Sequence, residues 1–172
     1  MKLVTPSLAL EDAFIHFYRD YKCHDAVKAQ DYIDFEKGFE LYVQRLIDES
    51  TGLNLREGYV PCHHFWFLND KVQLMGVIRV RHRIDTPFLT HEGGHIGYDI
   101  APAFRGKGFG KMMLKFALPK ARALGIERAL ITADEDNIAS RKVIEANGGL
   151  LERIAPRHFS KGTIARYWVN CF

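Results

Sequence analysis

Apolar positions along this chain repeat in two registers. Over residues 8 to 20, and again over 34 to 49 at Phe35, Phe39, Tyr42 and Leu46, they return every three or four residues, which predicts two amphipathic helices with one face on a core. The segment HHFWFLNDKVQLMGVIRVRHRI changes period. It breaks at Asn69 and Asp70 and then alternates through Ile78, Val80, His82 and Ile84, the pattern of an antiparallel hairpin. GHIGYDI predicts a further strand, and Pro102, in the loop from Ala101 to Arg105, stops its ladder. Helical spacing resumes from Lys107 to Leu124, with Pro119 removing one hydrogen bond and Gly125 as a C-terminal cap. RALITAD reads as a short apolar strand. Asn137 then caps a second helix over 138 to 147, closed by Gly148 and Gly149. Strands near 150 to 155 and 163 to 170 flank the loop PRHFSKG.

The predicted order is two helices, three strands, a helix, a strand, a helix and two strands. A strand, crossover helix and strand over 94 to 133 requires a locally parallel pair inside a mixed sheet, so the class is α/β or α+β with one layered core. At 172 residues the chain is expected to be one domain, 1 to 172, burying about 70% of the surface of its extended form.

Composition changes this picture little, with 47% hydrophobic and 26% charged residues. The distribution of charge changes it more. The net charge is only +3, yet Arg105, Lys107, Lys111, Lys115, Lys120, Arg122 and Arg128 face a single acid, Glu127, within residues 105 to 128. Local basic surface on a near-neutral chain suits a small polyanion better than a nucleic acid, and the aromatics among these cations, Phe109 and Phe116, have the helical spacing of core residues and not that of a base-stacking surface. Lys107, Lys111 and Lys115 at i, i+4 spacing repel one another, which a merely solvated face would avoid. Cys23, Cys62 and Cys171 are odd in number and lack CxxC spacing, consistent with a reducing cytoplasm. Cys62, His63 and His64 are adjacent on a strand and alternate faces, so no metal site is expected. MKLVTPSLALED turns polar too soon for a signal peptide, and no run approaches a membrane span.

The glycines at 106, 108 and 110 need another explanation, because each weakens a helix start by about 1 kcal/mol relative to alanine. A Walker A loop fails at Arg105 and Met112, and a GxGxxG fingerprint fails at Lys111 and Met113. What remains is Arg-x-x-Gly-x-Gly between a strand and a helix. Residues without Cβ there let successive N–H groups turn toward one anion, and the helix start adds partial positive charge.

With Arg105, Gly108 and Gly110 in register, this stretch resembles the signature Gln/Arg-x-x-Gly-x-Gly/Ala of the GNAT acetyltransferase superfamily. The similarity continues through LGIERALITADEDNIASRKVIEANGG and covers about residues 72 to 151. GGHIGYDIAP, RVRHRI and NIASRKVIEANGG together look like a bacterial subgroup known only as predicted acetyltransferases. The resemblance implies a mixed central sheet of about six to seven strands flanked by helices, with two splayed parallel strands forming a cofactor cleft. It also implies acetyl-CoA as acyl donor. The pyrophosphate would lie on the amides of Arg105, Gly106, Lys107, Gly108, Phe109 and Gly110, beside Lys111. The pantetheine would run along Ile96, Tyr98 and Ile100 as a short added strand, with Asn137 and Ser140 approaching the cofactor.

Acetyl transfer to an amine needs a neutral nucleophile. An amine of pKa about 10.4 is deprotonated at pH 7 at a cost of about 4.6 kcal/mol, whereas the thiol leaves with a pKa near 8.5, so the base is the harder role. His95, Asp99 and Glu92 are the candidates, with His95 favoured for its reference pKa, and a water chain can replace any of them. By strand alternation His95, Gly97 and Asp99 share one face, opposite Ile96, Tyr98 and Ile100. The family's usual acid, a tyrosine seven residues beyond the Asn137 position, is here Ile144. Tyr98 or Tyr167 is left to substitute, or the thiolate leaves unassisted. Arg79, Arg81 and Arg83 on one strand face suggest a carboxylate or phosphate on the acceptor, or else a solvated face. The expected activity is direct transfer in a ternary complex to a small-molecule or peptide amine, by a cytoplasmic protein without nucleic-acid or membrane partners and with a homodimer left open. The alternative is a non-catalytic acyl-CoA-binding sensor.

Overall fold

The computed structural model describes residues 1–172. The apolar run around Trp66 and the alternating run around Ile78 form the expected antiparallel hairpin, β2 (Cys62–Leu68) and β3 (Leu74–Arg81), which registers Phe65 opposite Ile78. Asn69 makes the turn: its side-chain oxygen accepts from the amides of Lys71 and Gln73. A strand the periodicity did not announce, β1 (Lys2–Val4), pairs with β2 at the sheet edge, being too short to show any period.

Beyond the hairpin, β4 (Ile96–Ile100) lies antiparallel to β3, followed by α4 (Phe109–Ala123), β5 (Arg128–Asp134), α5 (Ile138–Glu145), β6 (Leu150–Pro156) and β7 (Thr163–Asn170). The seven strands form one sheet in the order β1-β2-β3-β4-β5-β7-β6, with β4 and β5 parallel across the α4 crossover. This is the mixed sheet, flanked by helices, that the sequence pattern implied.

The N-terminal region needs redrawing. The first helix, α1, runs over Glu11–His24, the single turn α2 over Ala26–Ala29, and α3 over Phe39–Thr51. Phe35 therefore belongs to a tighter 3₁₀ segment, Gln30–Lys37, because Gly38 at φ 137° interrupts the path into α3. α4 likewise starts at Phe109 and not Lys107, since Gly106 and Gly108 take positive φ. His82 and Ile84 fall beyond the end of β3. The chain leaves the sheet there and makes a wide turn over Leu89–Gly93 before returning as β4.

Each sheet face carries its own core. Ile78, Ile96, Ile131 and Tyr167 pack beneath Met113, Leu114 and Ile144 of α4 and α5. On the other face α1 and α3 cover Trp66, Leu68 and Val77, with the Phe14 ring stacked on Trp66 at 5.1 Å between centroids. Burial of this aromatic layer explains why the stripes at 8–20 and 34–49 are so apolar.

Candidate active site

The ladder between β4 and β5 contains one partner pair, Ile96 with Ile131. β4 remains paired to β3 out to Ile100 opposite Gly76, so it is β5 that departs. On the β3 side, His95 C=O accepts from Arg81 N–H and Ala101 N–H donates to Met75 C=O. Alternation therefore turns the amide groups of Tyr98 and Ile100 toward the gap. Gly94, at φ 63°, lets the chain pass close to β5 at the closed end, where a Cβ would sit 2.5 Å from Leu130 O.

Immediately past the open end lies the glycine loop. The amides of Phe104 and Arg105 donate to Ala101 and Pro102, and the next backbone donor engaged is Met112, on Gly108. Between them the N–H groups of residues 106 to 111 have no acceptor in the protein. Gly106 and Gly108 sit at φ 73° and 80°, and a Cβ at either would point into open space, so what these glycines serve is backbone direction. Gly110 differs: its Cβ would come within 3.1 Å of Val143, and its role is close packing of α4 on α5. The Arg105 guanidinium is committed to Asp25 at 2.7 Å and to the carbonyl of Ile100 at 2.9 Å, with Tyr21 under its face, so it fixes the loop to α1. Lys107 folds onto Ala103 O, and the Lys111 side chain stays exposed. Unclaimed amides at a helix start, next to a parting of strands, fit a diphosphate and an extended amide chain in sequence.

The β4 side chains divide as alternation predicts. Tyr98 reaches across to α5, where its hydroxyl lies 2.8 Å from Ser140 Oγ, and burial pushes its pKa up to about 12. Asn137 accepts from Ser140 N–H as the cap of α5. On the opposite face Asp99 meets Arg79 at 2.5 Å, Lys28 at 3.0 Å and the Tyr32 hydroxyl at 2.8 Å. Burial alone would raise its pKa, but the two cations outweigh this and hold it at about 2. His95 stands at the closed end of the gap, where its Nδ1 accepts the Leu130 N–H at 3.0 Å. Burial and the nearby Arg81 lower its pKa, leaving it neutral at pH 7.

Glu92 is fully buried and accepts from the amides of His158 and Phe159 and from Arg157, pinning the β6–β7 loop. Tyr167 is bound to Arg141 and Glu145, and Ile144 is sealed in the core beneath α5. No group of three or more His, Cys, Asp or Glu side chains gathers around a point.

Sequence reasoning missed a cavity of about 160 Å³ between α3 and the β2–β3 hairpin, bounded by Asp34, Arg45, Glu49, Arg56, His64 and Arg79 among others. Its carboxylates are all paired: Asp31 with Lys28, Asp34 with Lys37, Arg45 and Arg56, and Glu49 with His64 at 2.7 Å. Only the tertiary fold brings the 28–56 segment over β3, and no local motif marks it.

A sequence profile of the Acetyltransferase (GNAT) family matches residues 14–148. Among solved structures, the fold is similar to a chimera of spermidine N-acetyltransferase SpeG from Vibrio cholerae and hSSAT, at 19% identity and TM-score 0.65 over 99% of this chain and 96% of that one. It is similar also to the microcin C7 self-immunity acetyltransferase MccE in complex with acetyl-CoA and AMP, at 16% identity and TM-score 0.66 over 98% and 91%. A third is ribosomal-protein-S5-alanine acetyltransferase from Vibrio fischeri, at 19% identity and TM-score 0.58 over 78% and 72%. No curated protein matches the chain in sequence.

Proposed function

Because the chain belongs to the Acetyltransferase (GNAT) family, we propose that it moves an acetyl group from acetyl-CoA directly to a primary amine within a ternary complex. The observation that carries this reading is the run of unclaimed amides at 106 to 111 beside the β4–β5 gap. Acetyl-CoA would supply a thioester carbonyl open to amine attack and a thiol leaving group with a pKa near 8.5. Gly106, Lys107, Gly108, Phe109 and Gly110 hold the diphosphate through backbone N–H, assisted by Lys111 and the start of α4. Tyr98, through its backbone N–H and C=O, and Ile100, through its N–H, offer the groups that pair with the pantetheine amides, as an added strand would, the Ile100 carbonyl being held by Tyr21 and Arg105.

In the transfer, the amine nitrogen forms a C–N bond to the acetyl carbon as the C–S bond breaks, and one amine proton ends on the thiol. Tyr98 is the group on β4 that suits delivery of that proton. It stays protonated at neutral pH and bridges β4 to α5. His95 and Asp99 act by position. His95 locks the closed end of the gap, and Asp99 holds Arg79 and Lys28 beneath the acceptor. The ammonium proton leaves through water, since neither side chain has both a free lone pair and a suitable pKa.

Gly108→Val tests the reading. Nothing lies within 4 Å of the added Cβ, so the fold should persist, while the left-handed backbone becomes strained and its amides turn away. Titration calorimetry should show acetyl-CoA affinity falling roughly 10- to 100-fold, the equivalent of losing charge-assisted hydrogen bonds of about 1.5–3 kcal/mol. Undiminished affinity in a folded variant would remove the loop from the site.

A further inference from the structure

Three arginines alternate on β3 and just beyond it, and the fold gives them three different environments. Arg79 is neutralised by Asp99, and Arg83 is exposed and paired with Asp85 at 3.4 Å. Arg81 has no carboxylate. Its one engaged nitrogen, Nη1, donates to the carbonyls of Gly93 and Gly94 at 3.2 and 3.1 Å, leaving Nε and Nη2 without a protein acceptor. Burial presses its pKa below the ordinary guanidinium value and Arg79 adds to this; Cys62 and Tyr59 offset it only in part, and no carboxylate pairs with it. A half-buried guanidinium in that position is one partner short.

Its location gives the shortage a meaning. Arg81 Nη1 lies 3.7 Å from where a Cβ of Gly97 would be, as does Arg79 Nε, so the bare backbone at 97 lets both guanidinium groups lie close over this face of β4. Tyr98, whose backbone faces the strand gap, is the next residue along. The carboxylates of the same face are already spent, Asp99 on Arg79 and Lys28, Asp31 on the same Lys28, and Asp34 and Glu49 in their own pairs. An acceptor rich in positive charge would find no free counter-ion and would meet Arg81. An acceptor with an anionic group a few bonds from its amine would complete Arg81.

Resting on the acetyl-transfer reading, we propose that the acceptor is a compact amine bearing a carboxylate or phosphate close to the reacting nitrogen, bound through the Arg81 guanidinium over Gly97. A carboxylate next to the amine, as in an α- or β-amino acid, accepts the two open nitrogens in a fork, whereas a phosphate uses the same nitrogens with a longer span.

The experiment follows thiol release from acetyl-CoA with matched amines: glycine, β-alanine and larger α-amino acids, each against its primary amide, 2-aminoethyl phosphate against ethanolamine, and spermidine. The expected result is a kcat/KM at least tenfold higher for the anionic member of one series, which also separates carboxylate from phosphate. In Arg81→Gln that ratio should collapse toward one, mainly through KM, while calorimetry shows acetyl-CoA binding unchanged. A purely structural Arg81 would lower both members alike. Should Arg81→Gln not fold, Arg81→Lys keeps the charge without the fork and should lose most of the preference. Equal use of amides or preference for spermidine overturns the proposal alone, whereas turnover of no amine by a protein that binds acetyl-CoA also overturns the acetyl transfer on which it rests. Failure to bind acetyl-CoA overturns the functional reading beneath it.

Discussion

Asp99 shows how much one residue's meaning depends on its neighbours. In isolation it is a candidate base, but with Arg79, Lys28 and the Tyr32 hydroxyl around it, it is the counter-ion that allows two cations beneath the strand gap. Asp99→Asn leaves the half-buried Arg79 short of its counter-charge, and a loss of about 3 kcal/mol, or roughly 6–12 °C in Tm, is expected by thermal denaturation. The pH dependence follows from the sign of the shift. The folded pKa of about 2 lies below the ordinary 3.8, so the unfolded chain takes up the proton first. The carboxylate's contribution is complete above about pH 5 and drains away as pH falls from about 4 toward 2. Tm measured across that window should fall less steeply in Asp99→Asn than in the parent, and parallel curves would contradict this account.

Whole elements are held by a few such residues. α4 begins two residues late because its glycines give up helix for exposed amides, and it then packs on α5 where Gly110 lets Val143 approach. The loop between β6 and β7 depends on Glu92, which belongs to the wide turn at Leu89–Gly93 and extends its buried carboxylate to that loop. Burial favours the protonated Glu92, yet the amides of Phe159 and His158 and the Arg157 guanidinium keep its pKa below the usual carboxylate value. Glu92→Gln removes the charge while preserving size. Hydrogen exchange at His158 and Phe159 should then quicken about tenfold or more without loss of strand or helix signal. Unchanged protection there would mean the loop is held by other contacts, such as the His91–His158 stack at 4.5 Å.

The molecule as a whole is a sheet opened on one seam, with a largely aromatic core on one side, a mainly aliphatic core on the other and unpaired amides at the mouth. A ligand that fills the seam binds only the folded chain. Acetyl-CoA at 100 times its dissociation constant should add about 2.7 kcal/mol, raising Tm by roughly 5–10 °C. Pantetheine, which lacks the diphosphate, should give far less, and an equal shift from pantetheine alone would move the main grip away from the loop. No helix is long and apolar enough to cross a membrane.

Local pattern alone determined the hairpin turning at Asn69, the crossover helix, the strand RALITAD and the glycine loop, because turn residues, period and missing Cβ atoms act over a few neighbours. It also supplied the reason to look for backbone donors at 106 to 110. It could not reveal that Arg105 would be absorbed by Asp25, that His95 would accept from Leu130, or that His64 and Glu49 would meet across 15 residues. Nor could it tell Arg79, Arg81 and Arg83 apart. Those outcomes depend on which distant segment covers each face of the sheet. A charge acquires its partner, or is left without one, only when long-range packing has chosen its surroundings.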